Sequence, residues 1–469
     1  MMIDRWIAEA TECDFKVALE VKKPKSWLKS VSAFANGIGG TLFFGIDDDR
    51  NVIGLSDAQT DAETISRLIK ERITPYPSFV LAPERENGKD ILVLSVSSGR
   101  STPYYYKADG IMEAYIRMGN ESVIAPSYVL NQLILKGMHR TYDELISEYD
   151  FKDYAFSKLR ERYKAWTGNS MEEKLFDSFD MRDENGKLTN AGALLADDSP
   201  IRHSRLFCTH WNGLDKSGGM VDALDSAEYS GSLIILLNEG VGFVKRNMKT
   251  RWKKTADSRI EMPDYCERSV FEALVNALIH RDYLILGSEV HIDIYDDRVE
   301  LVSPGAMLDG TQIQDRDIYK VPSMRRNPVI ADVFTQLDYM EKRGSGLRKM
   351  RELTEKLPNF LQGKEPQYQT EATSFFTTFY NLNWGENGRI PVEEVAERVN
   401  GSVEKFGVNE KSSVKKFGDT QESSEKGSEI MQKGSEKKFG DSKNKSKNIG
   451  KTAQKIIDFV ISDPSMSAE

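Results

Sequence analysis

The alternation of apolar and polar positions divides the chain into a long ordered part and a polar tail. Leu28 to Asn36 has helical spacing and ends at Gly37, and Thr41 to Ile46 is a short apolar run suited to a buried strand. A second helix is expected over Ile65 to Ile73, stopped by Pro75 and Pro77. Two more strands are expected at Ile91 to Val96 and Glu113 to Arg117. A mixed helical stretch follows from Thr141 to Phe179, then short strands at Leu194 to Ala196 and Arg205 to Trp211. Ser269 to His280 reads as a long helix. It leads into strands at Glu289 to Tyr295 and Arg298 to Val302, with Asp296-Asp297 as the turn between them. The fold class expected is α+β.

From Gly401 to Lys455 this patterning fails. Large aliphatics are scarce, Lys-Phe-Gly recurs at Lys405, Lys416 and Lys438, and thirteen Lys stand against eight Asp and Glu. Such a stretch buries too little apolar surface to offset the entropy of ordering, so a disordered linker is expected over 386–450. Ile456, Ile457, Val460 and Ile461 then share one helical face between Thr452 and Pro464. One amphipathic helix is expected at 451–469, either the incomplete start of a helical domain or a helix that docks elsewhere.

Composition narrows the function classes. With 64 Lys and Arg against 73 Asp and Glu, the 469-residue chain has a formal charge of −9, which argues against wholesale coating of nucleic acid. Any such contact needs a local basic surface. From Met1 to Arg140 seventeen basic residues nearly balance eighteen acids, and the lysines gather at Lys16, Lys22, Lys23, Lys25 and Lys29. Cys13, Cys208 and Cys266 are odd in number and widely spaced, which fits a reducing cytosol rather than a disulfide framework. No apolar run spans a bilayer, so no membrane partner is expected, and the acidic N-terminal stretch lacks the pattern of a secretory leader. A cytoplasmic location is therefore expected.

Two groups of residues carry candidate chemistry. In the first, Ala33-Phe-Ala-Asn-Gly-Ile-Gly-Gly40 precedes a strand ending in Gly45-Ile-Asp-Asp-Asp49, and Glu9, Asp14 and Asp48 are acids nearby. The glycines suit a helix cap and tight turn. Three converging carboxylates could hold a divalent metal that activates water, whereas dispersed ones are simply solvated. Lys22 to Lys25 read equally as a phosphate-contacting loop or a solvated one, and Tyr104 to Tyr106 as stacking platforms or a half-buried strand.

In the second group, Glu272, Asn276 and His280 fall at i, i+4 and i+8 on one helix face, with Leu274, Val275 and Leu278 toward the core. The face is either solvated, with His280 capping the helix end, or a magnesium–phosphate site with Asn as oxygen ligand and Glu orienting a water. Further on, Glu341-Lys342-Arg-Gly344-Ser345-Gly346 opens a helix whose free N–H groups could meet phosphate.

The first group resembles the Schlafen AlbA-like domain. Glu9-Ala-Thr-Glu-Cys-Asp14-Phe-Lys16, Ala33 to Gly40, Phe44-Gly-Ile-Asp-Asp48, Pro103 to Lys107 and Tyr115-Ile-Arg117-Met-Gly119 follow its motifs in order over roughly 1–140. The resemblance implies nucleic-acid binding, DNA ahead of RNA, with Lys16, Lys22, Lys23, Lys25, Lys29 and Arg117 as contacts. In related animal proteins the core cleaves RNA with three acids, which map to Glu9, Asp14 and Asp48; Asp14 stands where the family pattern has Glu. The second group resembles the GHKL ATPase fold, an α/β sandwich, and more closely the divergent ATP-binding module that follows Schlafen AlbA-like domains in bacteria. That resemblance rests on Glu272 to Tyr283, Val302-Ser-Pro-Gly305, Ser323 to Ala331 and Tyr339 to Gly346, and extends the module over about 180–385, within a region 141–385 that begins with connecting helices. It implies ATP and Mg²⁺ as cofactors, with Glu272 as general base and Asn276 as metal ligand. It places Ser303 and Gly305 in the first glycine box, where the GHKL pattern has an adenine-binding Asp instead of Ser303. Arg325, Arg326 and Asn327 fall in a nucleotide lid, and Gly344, Ser345 and Gly346 in the second box beside Lys342; His280 completes the set. Thr452 to Pro464 resembles the first helix of the winged helix common at the C-terminus of such proteins.

The expected function is therefore an ATP-binding, nucleic-acid-binding regulatory protein, a transcriptional regulator or defence factor whose nucleotide state controls nucleic-acid binding. The alternatives are a metal-dependent nuclease using Glu9, Asp14 and Asp48, and a scaffold with a vestigial nucleotide pocket. Weak ATPase activity and a homo-oligomer both stay open.

Overall fold

Helix α1 (Lys25–Asn36) is apolar almost all round, and every residue from Trp27 to Asn36 except Lys29 is buried. A helix of that kind needs cover on every side. The computed structural model, which describes residues 11–216, 221–255, 258–341 and 344–391, sets α1 between two four-stranded sheets. One sheet has the order β1-β2-β5-β4, from β1 (Cys13–Lys16), β2 (Gly39–Phe44), β4 (Phe79–Glu86) and β5 (Lys89–Ser97). Its β1–β2 pairing is parallel and the rest antiparallel. The other is an antiparallel sheet of β3 (Ile73–Thr74), β6 (Tyr105–Ala108), β7 (Ile111–Met118) and β8 (Glu121–Ile124). Helix α2 (Ala58–Arg72), capped by Asp57 accepting from Thr60 N, closes this core with Ile65, Leu68 and Ile69.

Two polar residues buried on α1, Ser32 and Asn36, bond the neighbouring backbone. Asn36 donates to the carbonyls of Tyr104 (3.1 Å) and Tyr115 (2.9 Å) and accepts from Tyr104 N (2.7 Å). Ser32 donates to Tyr104 O (2.6 Å) and accepts from Tyr115 N (3.1 Å). These bonds pin α1 to the backbone at the start of β6 and in β7. Helix α3 (Ser127–Gly137) then packs Leu133 against Ala114 and Ala125, and its Leu133 carbonyl accepts from Thr102 Oγ1 at 2.7 Å.

The stretch from Thr141 to Phe179, expected as mixed helical, also holds a strand. That strand, β9 (Ile146–Asp150), pairs with β10 (Lys187–Thr189) around α4 (Ser157–Thr167) and α5 (Glu173–Ser178). Leu194 to Ala196, expected as a strand, ends the helix α6 (Asn190–Leu195) instead. Thr189 caps it by accepting from Gly192 N at 3.2 Å, which starts a helical turn where the short apolar run alone is ambiguous.

The second module is a six-stranded sheet of order β12-β11-β15-β16-β18-β17. Its strands are β11 (Arg205–Trp211), β12 (Ala223–Ser230), β15 (Val290–Ile294), β16 (Arg298–Pro304), β17 (Gln367–Thr370) and β18 (Ser374–Tyr380). Only β11–β15 is parallel. Helices α7 (Leu233–Asn247) and α8 (Glu267–Ile279) pack on the sheet and on each other, with the hairpin β13 (Thr250–Lys254) and β14 (Arg259–Pro263) between them in sequence. Helices α9 (Pro328–Gln336) and α10 (Gly346–Glu355) complete it, α10 lying against α8. The architecture is α+β, as expected. Among the described residues no helix is long and apolar enough to cross a membrane. Of the linker expected over 386–450, residues 386–391 are described, and Arg389 pairs there with Asp264 at 2.9 Å; residues 392–469, with the helix expected over Thr452 to Pro464, lie outside the described residues, as do Glu9 and Lys342.

Asn36→Ala removes three buried side-chain bonds and leaves the backbone groups of Tyr104 and Tyr115 short of partners. Urea unfolding of the full chain should register a loss of about 3 kcal/mol; a loss under about 1 kcal/mol contradicts the pinning role.

Candidate nucleotide-binding site

Helix α8 turns its apolar residues Val270, Leu274 and Leu278 into the core. Its polar stripe of Glu272, Asn276 and His280 faces a cleft of about 160 Å³. Each of these positions follows from the 3.6-residue repeat, and none of the three side chains makes a hydrogen bond within the described residues. Glu272 is only 7 % exposed. Burial pushes its carboxyl above the usual glutamate range, against the pull of Lys349 and Arg268. Burial, helped by Arg326 and Arg325, also pushes the His280 imidazole down to about 4, so His280 is neutral near pH 7.

Gly346, the first residue of α10, comes down on this stripe. A Cβ at that position would lie 2.9 Å from Asn276 Nδ2 and 3.0 Å from Glu272 Oε1. A Cβ there would meet the ends of both side chains, so glycine lets α10 begin this close without their moving aside. Gly344 and Ser345 also border the cleft, and Glu341 beside them is bonded to Ser345 Oγ (3.2 Å) and Lys349 Nζ (2.6 Å). On the opposite side Ser303, Gly305 and Arg326 contribute the polar part, and Met307, Leu308, Met340, Met350 and Phe375 an apolar lining. The sequence patterns singled out none of these apolar residues, because nothing in spacing separates a cleft-lining methionine from a core one.

Three expected contributors play other parts. Asn327 is fully buried and donates to the carbonyls of Ile279 (2.7 Å) and Arg281 (2.9 Å), fixing the start of α9 to the end of α8. Arg325 pairs with Asp332 at 2.9 Å and is absent from the cleft lining. The Ser303 hydroxyl is in the cleft wall, but it donates to Ala277 O at 2.7 Å and so ties β16 to α8.

In the N-terminal module the basic residues divide. Lys22 and Lys23 are exposed and Lys29 is half-buried. Lys25 pairs with Glu113 at 2.9 Å, and the hydrogen bonds to Glu113 and Tyr115 raise its pKa. Lys16 pairs with Asp14 and donates to Phe15 O at 2.7 Å. Arg117 corrects the expectation of a surface contact. Its side chain is 5 % exposed, donates to Cys13 O (3.1 Å) and Ser122 Oγ (3.2 Å), sits 3.9 Å from Asp14 and lies over the Phe34 ring. Tyr104 and Tyr106 are likewise buried. Asp14, 4 % exposed, also accepts from Ser30 at 2.5 Å, while Asp48 is exposed. Among the described residues no group of three or more His, Cys, Asp and Glu could hold a metal ion.

Comparisons with known proteins agree with this layout. Residues 9–126 match the family described as "Schlafen, AlbA_2". Residues 287–379 match the HATPase_c_4 family, described as "Putative ATP-dependent DNA helicase recG C-terminal". The second match takes in Ser303, Gly305, Arg326 and Gly344 to Gly346, and begins after α8. Among solved structures, the DIP2311 protein from Corynebacterium diphtheriae is similar at 19 % identity over 82 % of this chain and 77 % of that one, with a TM-score of 0.44. The N-terminal domain of a "Putative ATP-dependent DNA Helicase RecG-related Protein" from Nitrosomonas europaea is similar at 22 % identity over 25 % of this chain and 82 % of that one, with a TM-score of 0.21.

The raised carboxyl of Glu272 has a consequence for stability. An acid whose folded pKa exceeds its unfolded one stabilises fully below the unfolded value, and that contribution is lost as pH rises through the folded value. Glu272→Gln should therefore melt at the same temperature as the wild type below about pH 4 and at a higher one near pH 7. A lower melting temperature at pH 7 would show that Glu272 is satisfied in place.

Proposed function

We propose that this protein binds ATP with Mg²⁺ in the cleft between α8, β16 and α10 and binds nucleic acid, DNA ahead of RNA, through its N-terminal module. The nucleotide state regulates that binding. In this reading residues 1–140 are the nucleic-acid module and 141–385 the nucleotide module. The observation that carries it is the placement of Gly346 against Glu272 and Asn276. It brings together the free N–H groups of a helix start, an amide oxygen and a carboxylate without hydrogen-bond partners among the described residues. The helix start suits phosphate, and the amide oxygen suits a divalent cation carried with it.

The residues fit both groups. Mg²⁺ keeps most of its waters and takes one or two protein oxygens together with phosphate oxygens, a demand the Asn276 carboxamide meets. Bound there, the ion would neutralise phosphate charge. Glu272, held above the usual carboxylate range, is suited to take a proton from a water aligned with the terminal phosphate. Arg326 supplies a cation at the cleft wall, and Met307, Leu308 and Phe375 supply apolar cover for a base. The neutral His280 adds a hydrogen-bonding group without a charge. On the N-terminal module the exposed Lys22 and Lys23, with the half-buried Lys29, are the side chains available to phosphates. The role of transcriptional regulator or defence factor follows from an output that is occupancy of nucleic acid rather than a released product.

Calorimetry with ATP and Mg²⁺ tests the cleft. Asn276→Ala should weaken Mg²⁺-dependent binding at least about tenfold while leaving the melting temperature within a few degrees of wild type. Equal binding by the two proteins would remove the assignment.

A further inference from the structure

The residue after the Arg281 that follows α8 is a carboxylate with an unusual set of partners. Asp282 is 3 % exposed. Its Oδ2 accepts from Arg326 Nη1 at 2.9 Å and also from Gln132 Nε2, while Oδ1 accepts from Leu284 N at 3.0 Å. Its backbone N–H donates to Pro304 O at 2.8 Å, and a Cβ on Gly305 would come within 2.8 Å of the Asp282 Cβ. Arg326 in turn donates to Ala306 O, so the cleft wall from Pro304 to Ala306 and the Arg326 guanidinium are both fastened to this residue. Gln132 belongs to the other module. It lies on α3, which is held to the N-terminal sheets through Leu133 and the Thr102 bond. One buried carboxylate oxygen is thus shared by a cation on the cleft and an amide on the N-terminal module, the amide lying 150 residues from Asp282 in sequence.

We infer that Asp282 couples the two modules, because an anion entering the cleft competes with Asp282 for the single guanidinium of Arg326. Without the anion, Arg326 neutralises Asp282. With it, Arg326 is shared, and Asp282 keeps Gln132 and the Leu284 N–H as its remaining donors. The strength of the Gln132 contact, and with it the hold on α3, then differs between the two states. That is the differential interaction any ligand-driven shift requires. Neutral partners in place of this arrangement would leave α3 indifferent to what the cleft holds. The inference rests on the proposed nucleotide reading and assigns its regulation to Asp282, with Arg326 and Gln132 as positioning residues.

Hydrogen–deuterium exchange of the full chain with and without ATP and Mg²⁺, alongside calorimetry, tests it. In the wild type, ATP should slow exchange at the cleft segments 303–306 and 346–350, and should also change exchange in 127–137 by at least about threefold. Gln132→Ala should bind ATP with an affinity within about twofold of wild type and keep the cleft protection, yet show no ATP-dependent change in 127–137. Gln132→Lys, which restores a donor to Asp282, should recover that change. An α3 response in Gln132→Ala equal to that of wild type, or no α3 response in wild type despite cleft protection, overturns the coupling and leaves ATP binding standing. No heat and no cleft protection in wild type overturns the nucleotide reading, and the inference with it.

Discussion

A helix packed on several sides can carry a polar stripe only if something receives it, and two helices here meet that requirement in opposite ways. On α1 the buried Ser32 and Asn36 spend their bonds on the backbone at Tyr104 and Tyr115. The stripe is consumed in fastening α1 to the sheet of β6 and β7. On α8 the stripe of Glu272, Asn276 and His280 has no such partners among the described residues, and a cleft lies against it. The rest of the second module follows from keeping that stripe reachable. The sheet and α7 take the apolar face, Ser303 and Asn327 hold neighbouring segments to α8 through its carbonyls, and α10 begins against the stripe at Gly346, where no Cβ crowds it. The same residue types thus make a structural seam in one module and a candidate binding surface in the other, and the difference lies in whether backbone polar groups or open space face them.

That distinction explains what could be read from the chain. Both helices, the hairpin around Asp296-Asp297 and the glycines at Gly344 and Gly346 are local patterns, and spacing exposes them. The identity of what faces each pattern is not local. Arg117 reads as a surface cation because a strand ending in Arg and Met is ambiguous about its two faces. In the fold it is drawn inward by Asp14, Ser122 and the Cys13 carbonyl, contacts made across the first and last strands of the module. The tyrosines at Tyr104 and Tyr106 are buried by α1 for the same reason. Leu194 to Ala196 failed differently: a short apolar run fits a strand or a helix, and the deciding feature was the Thr189 cap.

The electrostatics sharpen the meaning of the net charge. Much of the positive charge in the N-terminal module is spent internally, Lys16 and Arg117 on Asp14 and Lys25 on Glu113. Of the six basic residues that the sequence singles out there, this leaves Lys22 and Lys23 exposed in the loop before α1 and Lys29 half-buried. In the second module Arg326 is a cation at a cleft that also holds a buried acid, Glu272, so an incoming anion meets one group that attracts it and one whose proton it tends to retain.

The stretch from α3 into the start of the second module is bonded to that module at Gln132 and again at Asp143. Gln132 on α3 reaches Asp282 beyond the end of α8. Asp143, buried and with its carboxyl pushed up to about 6, accepts from Ile330 N in the first turn of α9, just past the residues that carry Arg326 and Asn327. One contact falls just past the end of α8 and the other on α9, which follows Arg326, a residue of the cleft wall. A segment held at two such points has little freedom to absorb a displacement of the cleft wall by itself. A shift of Arg326 or of the start of α9 must either break one of these bonds or be carried into α3. Packed interiors resolve such a choice by switching between discrete arrangements rather than deforming smoothly. The coupling therefore needs no moving domain. It needs only that Arg326 be contested by two anions on either side of it.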